Sequence, residues 1–331
     1  MNTCSKCVLG DTFPGISFDD AGVCNYCSHT PLPTPEEKLE HLKKFEQLLD
    51  ENRGKAVFDV LLAYSGGKDS TYTMMVLAEK YKMNILAFTF DNGFVSEQAK
   101  KNITLMTDKL GATSVFIRPP FPLMKKAFAL AADKDIYSPK TLDRASSICT
   151  TCIGMVKAMI LKTAIAYGIP LVAYGWSPGQ APISSAIMKT NPRLQRITQR
   201  TVRDPLLSSI GQELGKYFLT DEDLNADASR WPVNIHPLAF MDYNEDRIVE
   251  IITGMGWVKP LDTDPNSSNC LLNALANYVH RKRFNFHPYA WEIAGIVRSG
   301  QMDRKDGIEK VTQDEDLNMV NYAAELLGVK V

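Results

Sequence analysis

The stretch that decides the fold is Ser65-Gly66-Gly67-Lys68-Asp69-Ser70, which directly follows an apolar run at residues 57–64. That run is typical of a buried strand, and residues 71–81, rich in Met, Leu, Ala, Glu and Lys, predict a helix. Two glycines between a strand and a helix let backbone N–H groups point at an anion, with the positive end of the helix dipole behind them. The lysine adds a positive charge and the serines add hydroxyl donors. We therefore predict a phosphate-holding loop.

Strands and helices alternate on either side of this loop. Further strands are predicted at 84–90, 114–117 and 169–174, and helices at 36–52, 96–110, 123–132 and 152–167. The alternation predicts an α/β fold, with a parallel sheet and helices on both faces. Ligands of such sheets lie beyond the carboxyl ends of the strands, which brings Asp91 and Gly175 near the loop.

The first four of the seven cysteines form two Cys-x-x-Cys pairs, Cys4 with Cys7 and Cys24 with Cys27, separated by sixteen residues. This spacing predicts a closed, structural four-thiolate site, most often for Zn²⁺. Because a segment of fewer than about forty residues cannot build an adequate core, the metal would supply much of its folding energy. The alternative is four unliganded thiols.

The other three cysteines are the pair Cys149 and Cys152 and the distant Cys270. Three thiolates are one short of a closed site, and a [4Fe-4S] cluster held by three cysteines keeps one iron free for another ligand. Two alternatives stay open. The pair could be a redox or persulfide-carrying site with Cys270 as partner thiol. All three could also be small buried hydrophobic residues.

Composition excludes little. Hydrophobic residues make up 45% and charged residues 23% of the chain, which is ordinary for a soluble globular protein. No apolar run approaches bilayer length and no signal peptide is visible, so we expect a cytoplasmic protein that does not bind membranes. The net charge of −1 is not the basic balance typical of nucleic-acid-binding enzymes. A basic group could still bind phosphate or simply be solvated, and its members are Lys189, Arg193, Arg196, Arg200 and Arg203.

The hexapeptide resembles the SGGxDS loop of the PP-loop ATP pyrophosphatases, which have an adenine nucleotide alpha hydrolase-like fold. It is not a Walker A loop, whose glycines stand further apart. The resemblance implies that ATP is split into AMP and pyrophosphate, and that AMP is placed on a carbonyl oxygen of the substrate. It implies that residues 65–70 hold the β- and γ-phosphates, that Lys68 and Mg²⁺ neutralise their charge, and that Gly175 lies at the nucleotide. Asp69 and Asp91 would contact Mg²⁺ or ribose, with Asp91 as a turn cap an equal alternative.

Two branches of this superfamily resemble further parts of the chain. The segments around Cys4–Cys7 and Cys24–Cys27, with 269–273 and 298–304, resemble the N-acetyl sugar amidotransferase group. Cys149, Cys152 and Cys270 resemble the cluster-binding triad of the iron–sulfur tRNA thiolases. Those thiolases usually carry acidic residues after the later strand, where this chain reads Gly175-Trp176-Ser177-Pro178-Gly179-Gln180.

The resemblance divides the chain into a zinc-ribbon-like module (1–30), a connector and helix (31–54), a PP-loop ATP-binding domain (55–190) and a mainly helical C-terminal region (191–331) that contributes Cys270. The first hypothesis is an ATP-dependent sulfurtransferase with catalytic Lys68 and Asp69 and a three-cysteine [4Fe-4S] cluster. The alternative is an amidotransferase that modifies an N-acetyl sugar with ammonia from a glutaminase partner. A non-catalytic nucleotide sensor is the third hypothesis. The acceptor is a small molecule or tRNA, a sulfur donor is an expected partner, and a homodimer is one expected assembly.

Overall fold

The computed structural model describes residues 2–331. Its centre is a six-stranded sheet in the order β3-β2-β1-β4-β6-β5, in which all neighbours are parallel except β5 and β6. The strands are β1 Val60–Ala63, β2 Ile85–Phe90, β3 Thr113–Ile117, β4 Leu171–Tyr174, β5 Ile187–Lys189 and β6 Val233–Ile235. The predicted α/β fold with a parallel sheet is confirmed. Strand β6, which lies between β4 and β5, comes from a part of the chain without a regular sequence pattern.

The helices are α1 Asn25–Ser28, α2 Pro35–Asn52, α3 Lys68–Met75, α4 Glu97–Leu110, α5 Phe121–Asp133, α6 Ser147–Tyr167, α7 Pro192–Ile210, α8 Asp221–Leu224, α9 Glu245–Gly254, α10 Asn273–Phe284, α11 Ala290–Arg298, α12 Arg304–Thr312 and α13 Leu317–Leu327. A π-helical turn, Val76–Lys80, continues α3. The C-terminal region is mainly helical, as predicted.

Strand β1 is shorter than the apolar run that predicts it. Val57 is 74% exposed. The buried carboxylate of Asp59 accepts hydrogen bonds from the backbone N–H groups of Gly54 and Asn84, at 2.6 and 2.8 Å. These bonds fold the preceding residues into a turn, so the strand begins only at Val60.

The central strands are buried on both faces because successive side chains point to opposite sides. Leu61 of β1 belongs to one core, together with Val172 of β4, whereas Val60 and Leu62 belong to the other. Helices cover each face. This double burial explains why the strands read as continuous apolar runs rather than alternating ones.

Helix α6 is the one helix in residues 2–331 that is long and apolar enough to cross a membrane, with 21 residues and a mean hydropathy of 1.6. The expectation that no apolar run approaches bilayer length is therefore wrong on this measure. Met155, Leu161 and Ala164 of α6 are buried in the core beside the sheet. Such packing is typical of the central helix of an α/β protein.

The N-terminal module packs on the C-terminal helices. Cys4, Val8 and Phe13 share a core with Ile293 and Val297 of α11. Helix α11 also reaches the carboxyl ends of the strands, where Glu292, Ile293 and Ile296 line a cavity. One helix thus lies between the cysteine-rich module and the candidate site.

Candidate functional site

The hexapeptide forms the turn between β1 and α3. The hydroxyl oxygens of Ser65 and Ser70 lie 3.1 Å apart, and Ser70 also donates to the carbonyl of Gly67 at 3.1 Å. Gly67 is the N-cap of α3, which therefore begins inside the hexapeptide and not at residue 71. The loop stands at the N-terminus of a helix, where backbone N–H groups and the helix dipole favour an anion.

Gly66 and Gly175 are required by close approaches of the backbone. Gly66 has φ +75°, and a Cβ there would lie 2.5 Å from the carbonyl oxygen of Ala99. A Cβ on Gly175, directly after β4, would lie 2.6 Å from the Cα of Ser70. The loop after β4 therefore lies against the start of α3. Because β1 and β4 are neighbours whose connections run to opposite sides, this is the switch point at which parallel sheets bind ligands.

A distant segment supports the loop from the C-terminal region. The indole N–H of Trp257 donates to the carbonyl of Gly66 at 2.9 Å. The backbone N–H of Lys68 donates to the hydroxyl of Ser268, also at 2.9 Å. Neither contact is visible in the sequence, where about two hundred residues separate the partners. The only local signal is that Ser268 stands two residues before Cys270.

Charged side chains surround the start of α3. The ammonium of Lys68 lies 2.7 Å from a carboxylate oxygen of Asp69 and 4.0 Å from Glu245, and the hydroxyl of Tyr243 donates to Asp69 at 3.0 Å. Burial lowers the pKa of Lys68, but the carboxylates of Asp69 and Glu245 outweigh it and raise that pKa above its ordinary value. Lys68 is therefore held as a cation at neutral pH.

Cys149, Cys152 and Cys270 line the same cavity as this loop, with a volume of about 350 Å³. The first two lie in the first two turns of α6, whose N-cap Ser146 accepts a hydrogen bond from the N–H of Cys149 at 3.2 Å. Cys270 joins them because its segment pairs with the chain after β2, through an antiparallel bridge to Val95. The structure thus brings together three predicted residues from distant parts of the chain.

The protonation state of these three thiols bears on whether they can bind a metal. Burial, and then the charge of a neighbouring cysteine, raise the pKa values of Cys152 and Cys270 to about 12. Free thiols of this kind stay protonated near neutral pH and are weak nucleophiles, so a bound metal would be needed to make them thiolates. All three are also partly exposed to the cavity rather than fully buried. Three thiols that line one cavity are the donor set that a [4Fe-4S] cluster with one open iron requires.

Asp91 and Asn92 follow β2 and have different surroundings. The carboxylate of Asp91 accepts the backbone N–H of Gly93 at 2.9 Å, which is the turn-cap geometry, and lies 3.5 Å from Arg118. Asn92 lines the cavity, and its amide donates to the sulfur of Cys152 at 3.4 Å. A contact between Asp91 and the nucleotide stays a prediction.

Lys157 and Glu292 are among the titratable side chains of the cavity wall that sequence reasoning missed. Lys157 of α6 lies 4.4 Å from the ring centroid of Trp176, and burial lowers its pKa to about 8. Glu292 of α11 accepts a hydrogen bond from Ser177 at 2.6 Å. Neither residue belongs to a motif, so no local signal marks them.

The four N-terminal thiols form a second site. The sulfurs of Cys4 and Cys27 lie 3.8 Å apart, as do those of Cys7 and Cys24, and all four fall within 4.8 Å. Tetrahedral ligands at a Zn–S distance of ~2.3 Å are separated by ~3.8 Å, so the four thiols fit one metal ion. Within residues 2–331, no other group of three or more such ligands is this close. The cluster proposed for the cavity needs wider spacing, because its iron atoms separate the ligands.

The strand order, the position of the hexapeptide and the cavity at the switch point agree with the resemblance. The chain has an α/β fold with a mostly parallel sheet, and the hexapeptide lies at its switch point. No protein-family model matches it. It is 32% identical over 108 residues to an uncharacterized protein of Methanocaldococcus jannaschii, a match that covers 31% of this chain and 38% of that relative.

Two solved structures are similar to the chain. One is the U34-tRNA thiolase NcsA of Methanococcus maripaludis with its [4Fe-4S] cluster, at 16% identity and a TM-score of 0.37, with 100% of this chain and 99% of the other covered. The other is the NMN synthetase of Francisella tularensis, at 14% identity and a TM-score of 0.32, with 66% and 86% covered. Membership of the PP-loop superfamily stays a prediction from the hexapeptide.

Proposed function

We propose that the protein adenylates a carbonyl group of its acceptor with ATP, releases pyrophosphate, and replaces AMP with sulfur. The observation that carries this proposal is that the phosphate loop and the three cysteines line one cavity. Activation and transfer would then take place on the same bound substrate without its release.

The loop and its neighbours support the activation step. The backbone N–H groups at the start of α3 and the cationic Lys68 would bind the β- and γ-phosphates, since both stabilise negative charge as pyrophosphate leaves. Asp69 would hold Mg²⁺ at the same phosphates once the nucleotide displaces its contact with Lys68. Adenylation turns the acceptor oxygen into a good leaving group, AMP.

The cysteines support the transfer step. Cys149, Cys152 and Cys270 would hold a [4Fe-4S] cluster that keeps one iron open. Such a cluster, when bound, would keep sulfur anionic near neutral pH, as metals do for bound water. The sulfur would come from a donor such as inorganic sulfide. The amide of Asn92, which donates a hydrogen bond to the sulfur of Cys152, would orient Cys152 as a ligand of the cluster.

The four N-terminal thiols would bind a structural Zn²⁺. Their 3.8 Å separations match tetrahedral coordination, and no position is left for a substrate. The two metal sites therefore have separate roles, and variants can address them one at a time.

The test is anaerobic purification followed by metal analysis of three proteins. The unmodified chain should be brown and contain about four irons and one zinc. Cys270→Ser should lose iron, retain zinc and lose sulfur transfer, whereas Cys27→Ser should lose zinc. Pyrophosphate and AMP released from ATP with tRNA or an N-acetyl sugar nucleotide would measure activation.

Three results would contradict the proposal. Full sulfur transfer by an iron-free Cys270→Ala protein would overturn the cluster step. An iron-free unmodified protein that consumes ammonia would support the amidotransferase alternative instead. Failure to form pyrophosphate with any acceptor would overturn adenylation itself.

A further inference from the structure

Glu292 is a carboxylic acid in the cavity wall that the steps above do not use. It lies near the start of α11 and lines the same cavity as Lys68 and Asp69. Its side chain accepts a hydrogen bond from the buried hydroxyl of Ser177 at 2.6 Å. No ion pair in the part of the chain that the structure describes includes it, although Lys68 is paired with Asp69 and Glu245 nearby.

The fold fixes this acid beside the loop that follows β4. A Cβ on Gly179 would lie 2.1 Å from the backbone oxygen of Glu292, and one on Gly295 would lie 2.8 Å from the Cα of Gly179. The loop and α11 therefore touch backbone to backbone. The loop itself contains no acid and no histidine between 175 and 180. Helix α11 thus supplies a carboxyl group that the loop lacks.

The surroundings of Glu292 let it gain and lose a proton near neutral pH. Burial raises its pKa to about 7, opposed by the hydrogen bond from Ser177. The titratable and charged groups that face it from neighbouring elements are Lys68, Asp69, Tyr243, Glu245 and Tyr289. A carboxyl group that gains and loses a proton near neutral pH is suited to general acid–base catalysis at physiological pH.

We propose that Glu292 is the general base of the adenylation step, and that the acceptor is a carbonyl with an adjacent N–H, as in an amide or a nucleobase lactam. This proposal rests on the proposed function. The neutral carbonyl oxygen of an amide is a poor nucleophile. Removal of the adjacent proton makes it anionic, which explains why a base is needed for this acceptor class.

Adenylation moves one proton to Glu292 and exchanges one bond at the α-phosphorus for another. The Glu292 carboxylate takes the N–H proton while the carbonyl oxygen forms a bond to the α-phosphorus of ATP. The bond from that phosphorus to the β-bridging oxygen breaks, pyrophosphate leaves, and the C–N bond becomes double. When the anionic sulfur displaces AMP, the carbon–sulfur bond becomes double, the C–N bond becomes single again, and Glu292 returns its proton to the nitrogen. No oxidation or reduction occurs.

The test compares Glu292→Gln, which keeps the shape and the bond to Ser177, with Glu250→Gln, an exposed change on α9. The two acceptor sources are tested separately, with total tRNA and with UDP-N-acetylglucosamine. Glu292→Gln should lower acceptor-dependent pyrophosphate release by ~10²–10⁴-fold while ATP affinity stays within a few-fold of the unmodified protein. The control should match the unmodified protein. Glu292→Asp should recover part of the rate.

The pH profile separates a proton-transfer role from a merely structural one. The rate of the unmodified protein should rise with pH through about 7, and this limb should be absent in Glu292→Gln. Infrared titration of the protonated-carboxyl band needs no acceptor, and should show a group that titrates near neutral pH and is missing in Glu292→Gln. An unchanged rate or an unchanged band in that variant would overturn the role of Glu292. Absence of pyrophosphate from the unmodified protein would overturn the proposed function instead.

Discussion

At the scale of single residues, Lys157 places a positive charge in the cavity wall, and burying that charge lowers the stability of the folded chain. Its ammonium lies over the ring of Trp176, and no carboxylate lies within 4.0 Å in residues 2–331. Burial lowers its pKa from 10.5 to about 8. Below pH 8 the lysine is charged in both the folded and the unfolded chain, so folding bears the full cost of burying that charge. Between pH 8 and 10.5 only the unfolded chain keeps the proton, so this cost falls as the pH rises.

Lys157→Met should therefore stabilise the ligand-free protein at pH 7, by at most roughly 3.5 kcal/mol, since the pKa falls from 10.5 to about 8 and each pKa unit corresponds to about 1.4 kcal/mol. The gain should shrink above pH 8 and vanish near pH 10.5. Urea unfolding across this pH range measures it. Lys162→Met on the same helix is the control, because Lys162 is paired with Asp223 at 3.5 Å and its loss should bring no gain. Equal stabilities of the unmodified and Lys157→Met proteins at pH 7 would contradict this account.

How far the site could be predicted depends on whether its residues are contiguous. The hexapeptide and the N-terminal cysteines could be found because their chemistry requires fixed local spacing. Lys157 and Glu292 could not, because each acts alone and owes its protonation behaviour to burial among distant elements. Cys270 was found only because two other cysteines remained to be grouped with it.

At the scale of elements, helices and strands around the loop were predicted closely because periodicity and caps are local signals. The prediction missed β5 and β6, two three-residue strands without a strong pattern. It also missed how α11 and α12 hold the cysteine-rich module. Those contacts are tertiary, and the sequence carries no local sign of them.

Arg304, at the start of α12, is hydrogen-bonded to the cysteine-rich module. Its guanidinium donates to the carbonyls of Cys4 and Cys7 at 2.7–3.1 Å. Lysine lacks the planar fork that reaches both oxygens. Arg304→Lys should therefore lose metal to a chelator faster and lower the free energy of unfolding by about 1–3 kcal/mol, because a partly buried carbonyl loses its donor. Arg247→Lys, an exposed change on α9, is the control. Identical rates of zinc release in a colorimetric chelator assay would contradict the role of Arg304.

At the scale of the whole molecule, the cavity is formed by the carboxyl edge of the sheet together with segments from the C-terminal region. The parallel sheet alone places the loop and Gly175 at its carboxyl edge. The C-terminal region completes the wall with Cys270 and Glu292, and it contacts the loop through Trp257. Because that region contacts the phosphate loop directly, nucleotide binding should depend on residues that no motif identifies.

Trp257 allows this dependence to be measured. Its buried indole donates to Gly66 inside the phosphate loop, whereas the equally donating Trp231 bonds to Ala226 at 3.2 Å, away from the cavity. Trp257→Phe and Trp231→Phe remove the same N–H, and each leaves one backbone carbonyl without its donor. Both should therefore lower the free energy of unfolding by about 1–3 kcal/mol. Only Trp257→Phe should also weaken ATP binding in calorimetric titration, because only there does the lost bond hold the loop in shape. Equal ATP affinities of the two variants would show that the loop keeps its conformation without support from the C-terminal region.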